Sequence, residues 1–132
     1  MRARARALQA LYAWDLRGDT ALELVADRTW DDLLVRPPER VIADRLVRTV
    51  AKNGSTIDAA LRDVTTNWRL ERLGAIERSV LRLGAAELLR DETPPRVVIQ
   101  EAVRLAERFG SPRSAHFVNG VLDALARRMD RL

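Results

Sequence analysis

Residues 70–90 constrain the fold more than any other stretch. Leu73, Ile76, Val80, Leu81, Leu83, Gly84 and Leu88 fall at helical spacing but spread over more than one face. A helix with one apolar stripe can lie on a surface, whereas one that is apolar on two sides has to be covered on both. The spacing therefore predicts a central helix, with the rest of the chain as its cover. Composition limits what that cover can be. Six glycines and five prolines in 132 residues are too few for the many tight turns of an all-β fold. Aromatics are only 5%, so the core must be mainly Leu, Val, Ile and Ala, and Leu and Ala favour helix. The expected fold is all-α: one compact helical domain over residues 1–132, of about six or seven helices.

The flanking segments repeat the pattern with one apolar face each. Residues 2–17 carry Leu8, Leu11, Tyr12 and Leu16, with Gly18 as a stop and Asp19-Thr20 as the next cap. Residues 20–34 carry Leu22, Val25, Ala26, Trp30, Leu33 and Leu34, and Arg36-Pro37-Pro38 ends them. Over 39–66, Ala43, Leu46, Val47, Val50, Gly54, Ile57, Leu61 and Val64 keep one phase. That predicts a single long helix with Gly54 admitting a close neighbour; a turn at Asn53-Gly54 is the alternative. Thr65 to Arg69 breaks the pattern. Thr93 is the expected N-cap of a helix bearing Val98, Ile99, Ala102, Leu105, Ala106 and Phe109. Gly110 is the expected left-handed stop, Ser111-Pro112 forbids continuation, and Ser114 is the expected cap of a last helix with Phe117, Val121 and Leu125.

The net charge is +4, and Lys52 is the only lysine among 23 basic residues. Base composition of a GC-rich genome accounts for arginine in bulk, so a functional reading needs clusters. Two exist. In Arg2, Arg4 and Arg6, the first and third share a helix face while Arg4 points away. Cations at a helix N-terminus oppose the macrodipole, and a polyanion would give them a reason. The second is residues 108–123, where Arg108, Arg113, His116 and Asn119 accompany Phe109 and Phe117 on either side of a helix stop and restart. Phe117 is open to two readings, core packing or contact with a ligand.

Catalytic constellations are missing from the pattern. With one histidine and no cysteine there is no disulfide framework, thiolate metal site or Cys/His nucleophile pair. No phosphate-binding glycine loop and no nucleophile elbow occurs. The acidic pairs Asp31-Asp32 and Asp91-Glu92 sit at expected helix ends. Neither an enzyme nor a cofactor is expected. No signal-peptide run and no apolar stretch of about 20 residues appears, so a soluble, cytoplasmic protein without membrane partners is expected.

Three segments together resemble one family. They are residues 4–16, from Arg4-Ala5-Arg6 through Gln9-Ala10-Leu11-Tyr12 to Trp14-Asp15-Leu16; residues 73–88, around Ile76-Glu77-Arg78-Ser79-Val80-Leu81-Arg82-Leu83; and residues 95–123, ending in Phe117-Val118-Asn119-Gly120-Val121-Leu122-Asp123. This arrangement is similar to the bacterial NusB family of transcription antitermination factors. The resemblance implies an all-α protein of two packed antiparallel sub-bundles. It also implies binding of the single-stranded boxA RNA of ribosomal RNA operon leaders, together with NusE, a ribosomal protein of the small subunit, and entry into the elongating RNA polymerase complex. The positions matching the family's RNA contacts are Arg2, Arg4, Arg6, Tyr12 and Phe117. Arg113 and His116 lie in the same loop but depart from the acidic and lysine residues expected there. Tyr12 and Glu77 match partner contacts, with Glu71 as a neighbouring acidic candidate. Two rival readings accompany this one: the NusB-like N-terminal part of an rRNA cytosine methyltransferase, and a helical module that homodimerises through apolar surface.

Overall fold

The computed structural model describes residues 2–18, 20–65 and 68–132. Among them the elements are α1 (Arg2–Arg17), α2 (Leu22–Asp32), α3 (Pro37–Lys52), α4 (Gly54–Val64), a 3₁₀ turn (Leu70–Arg72), α5 (Ala75–Arg90), α6 (Pro95–Phe109) and α7 (Pro112–Arg128), with no strand. The two-faced pattern of the central segment has the expected consequence. From Ser79 to Leu88 every residue of α5 except Arg82 is buried. Helices α1 and α3 pack on it from one side and α4, α6 and α7 from the other. The chain thus forms two sub-bundles, α1–α3 and α4–α7, joined through α5. Gly84 sets how closely α7 approaches, because a Cβ there would lie 2.7 Å from Leu122 Cδ1.

Several helix ends differ from the sequence reading. Residues 39–66 are two helices, not one. The Asn53 side chain donates to the Thr49 carbonyl at 2.9 Å and closes α3, and α4 starts at the next residue, so the apolar phase survives the break. Gly54 admits no neighbour, since nothing lies within 4 Å of its Cβ position. Pro37 opens α3 rather than ending α2. Helix α2 stops at a Leu33-Leu34 turn, where Leu34 takes the left-handed conformation (φ 53°) and the Val35 N–H donates to the Trp30 carbonyl. Gly110 is not left-handed (φ −116°), whereas Asp91 fills that role at the end of α5. Ser111, not Ser114, caps α7: its Oγ accepts the Ser114 N–H at 3.1 Å. Helix α6 starts after Pro94 with no side-chain cap, so Thr93 does not serve. Of the expected Asp19-Thr20 cap, Asp19 lies outside the described residues, and α2 follows Ala21 without a side-chain cap.

Charge locks the sub-bundles together. Asp15 of α1 accepts from Arg78 at 3.0 and 2.5 Å and from Arg82 at 2.9 Å, and Arg82 reaches on to Asp58 of α4 at 3.0 and 3.1 Å. The Arg82 guanidinium also lies over the Trp14 ring, 5.4 Å from its centroid. Hydrogen bonds from Arg78, opposed in part by burial, hold the Asp15 carboxyl below its ordinary range. A carboxyl with a depressed folded pKa stabilises the fold above its unfolded pKa of about 4, and that contribution fades as pH falls further. Asp15→Asn is therefore expected to cost about 1.5–3 kcal/mol near neutrality. Its urea midpoint should also fall less steeply than the native protein's below about pH 4. Equal losses at pH 7 and pH 3 would remove Asp15 from the acid limb.

Candidate nucleic-acid interface

The N-terminal arginines divide by helix face. Arg2 is exposed and makes no ion pair among the described residues. Arg6, one turn on, donates to the Gln9 side chain at 3.0 Å and stands 3.6 Å from Glu39. Arg4 is the correction. Expected among the RNA contacts, it is turned inward and donates twice to Glu87 of α5, Nε to Oε2 at 2.9 Å and Nη2 to Oε1 at 2.7 Å. Only 12% of the Arg4 side chain and 7% of that of Glu87 are exposed. A bidentate pair with so little solvent is a fastening between α1 and α5, not a free phosphate ligand.

Tyr12 sits half-exposed in a cleft of about 520 Å³ bordered by Leu8, Gln9, Leu33, Ile76 and Phe109. Helix α1, the end of α2, the first turn of α5 and the last turn of α6 supply its walls. Glu77 follows Ile76 in the first turn of α5. Its carboxylate folds over Gly74, where a Cβ would lie 2.7 Å from Oε1. The local pairing with Arg78 or Arg82 that the sequence also allows does not form, because both arginines are committed to Asp15. Glu71 is engaged elsewhere. It accepts from Arg62 of α4 at 2.7 and 3.1 Å, and these hydrogen bonds lower its pKa.

Across the α6–α7 turn a second cluster forms. Arg108 lies over the Phe109 ring at 4.9 Å. Arg113 and His116 project from the first turns of α7 into solvent. Phe117 packs partly on the core, the first of its two readings, and its ring also meets that of Trp68 with near-perpendicular planes, centroids 6.2 Å apart. Trp68, 62% exposed, was missed by pattern reasoning. It sits where the apolar period breaks, so no face could be assigned to it. A large aromatic at a break in the pattern, followed by Arg69 and Arg72, was the available signal.

The surface therefore offers free cations, an apolar cleft and an aromatic pair. The residues suit phosphate and base contacts, and the described residues hold no cluster that could bind a metal ion. The profile of the NusB family matches residues 1–127. The chain belongs to the NusB family. A NusB transcription antitermination protein of Sorangium cellulosum is 45% identical over 130 residues, covering 98% of this chain and 92% of the relative. Among solved structures, T. maritima NusB superposes with a TM-score of 0.87 at 35% identity, over 96% of this chain and 89% of that one. A complex of the antitermination factors NusB and NusE with double-stranded RNA contains a chain that superposes with a TM-score of 0.85 at 32% identity, over 96% of this chain and 94% of that one. The all-α, two-sub-bundle architecture expected from the resemblance is thus the NusB fold. No helix among the described residues is long and apolar enough to cross a membrane.

The division of the arginines has a direct check. Arg4→Ala strands Glu87 and is expected to lower unfolding stability by about 3 kcal/mol. Arg2→Ala is expected to stay within about 0.5 kcal/mol of the parent. Chemical denaturation of the two variants tests this, and equal stabilities would show that Arg4–Glu87 is no fastening.

Proposed function

We propose that this protein is a transcription antitermination factor, one NusB-like RNA-binding domain over residues 1–132. It binds boxA RNA of ribosomal RNA operon leaders together with NusE and joins the elongating RNA polymerase complex. The observation that carries the reading is the match to NusB proteins over nearly the whole chain, joined to a surface whose free groups suit single-stranded RNA. It acts in the cytoplasm and by assembly rather than catalysis. RNA follows the exposed side of α1 at Arg2 and Arg6, passes Tyr12, and reaches Arg113, His116 and Phe117. NusE takes the cleft beside Tyr12, with Glu77 as the acidic contact; Glu71 contributes by exchanging Arg62 for a partner cation. The methyltransferase and homodimer readings have no comparable support, since the relative that this chain spans at 92% of its length is named as an antitermination protein.

Replacing Arg2 and Arg6 by Ala is expected to weaken boxA binding and to reduce the slope of log K against log salt by about one per lost phosphate contact. An unchanged slope would take the α1 face out of the RNA path. Glu77→Arg is expected to weaken NusE binding by at least tenfold, about 1.4 kcal/mol, because it sets a cation where an anion met one. Calorimetry showing native affinity would place the partner surface elsewhere.

A further inference from the structure

We infer that Trp68 is a base-stacking platform for single-stranded RNA and forms one aromatic step with Phe117. This rests on the RNA-binding reading above and extends its site to residues 68–72. Three observations carry it. The first is geometry. The two rings meet at 80°, a T-shaped contact that occupies at most one face of the indole, and the ring remains 62% exposed. An aromatic with at least one face open is the shape that an unstacked base needs.

The second is the mount. The Trp68 N–H donates to the Thr65 carbonyl at 3.0 Å, and the buried Thr65 hydroxyl donates to the Leu61 carbonyl at 2.8 Å. On the other side, Arg78 Nη1 donates to the carbonyls of Leu70, Glu71 and Leu73 at 3.2, 3.3 and 2.7 Å. The same guanidinium is held by Asp15. Thr65, the Trp68 backbone and residues 70–73 are therefore tied to the fold without a ligand, which lowers the ordering cost of binding.

The third is charge. Arg69 and Arg72 follow the tryptophan on its own segment, and Arg113 lies one turn from Phe117 on the same face of α7. None of the three forms an ion pair among the described residues. Aromatic faces set among unpaired arginines favour a polyanion with π-faces over an acidic or apolar protein surface.

The test uses the full chain and a short boxA RNA. Of the three tryptophans, Trp30 is buried and Trp14 lies under Arg82, so Trp68 should dominate any quenching by RNA. RNA is expected to quench the native emission, and Trp68→Phe should lose that response. Trp68→Ala is expected to weaken RNA binding about 5- to 100-fold with an unchanged salt slope, because a stacked base and not a phosphate is lost; Trp68→Phe should restore much of the affinity. Thermal melts of both variants should match the parent, as the side chain is largely exposed. Native affinity and slope in Trp68→Ala would overturn the inference and leave the RNA-binding reading standing. So would quenching by NusE alone, with only NusE binding weakened, which assigns the ring to a protein contact. No binding of boxA by the native chain would sink both.

Discussion

The structure depends on the attachment of α1 to α5. Two charged fastenings make it: Arg4 with Glu87 toward one end, and Asp15 with Arg78 and Arg82 toward the other. Ala3, Ala7, Leu8 and Leu11 fill the buried face of α1 between and around them. Apolar burial supplies most of the driving force, but it is non-directional and would tolerate sliding or rotation of one helix on another. Bidentate guanidinium–carboxylate pairs have a fixed geometry, so they set the register of one sub-bundle on the other. The proposed binding surface inherits that register. Tyr12 on α1 and Ile76 on α5 line one cleft only because the two helices meet at this rotation.

Arginine consequently serves two ends in one small protein. Arg4, Arg78 and Arg82 are largely shielded from solvent and complete the fold. Arg2, Arg69, Arg72 and Arg113 are exposed and unpaired among the described residues. Surface pairs such as Arg62–Glu71 are worth little to stability and can be exchanged for a partner at small cost. Arg78 links the two ends: it holds Asp15 of α1 and, through three carbonyls, the turn that follows Trp68. Interior order is thereby passed to the surface proposed to meet the RNA.

What the sequence made legible follows from the range of each signal. The central role of α5 was readable because an apolar pattern on two faces is a local fact with a global consequence. The break at Asn53 was hidden because a one-residue interruption preserved the helical phase. The Gly18 stop was readable and is left-handed (φ 81°), but Gly110 was misassigned and the stops at Leu34 and Asp91 were missed, because these two adopt a conformation usually left to glycine, under packing that no local pattern reveals. Arg4 was read as an RNA contact because its partner lies 83 residues away. Its direction was readable, since Arg2 and Arg6 do share the other face. Trp68 escaped because loops carry no periodicity, and its meaning came only from the ring it meets on α7.

The most direct measurement is a titration of the protein with boxA RNA against a scrambled RNA of equal length and composition, with and without NusE. The account predicts tighter binding of boxA than of the scrambled strand, with a further gain in affinity when NusE is present. Equal affinity for both RNAs, unchanged by NusE, would contradict it, leaving only the unspecific attraction of a basic surface for a polyanion.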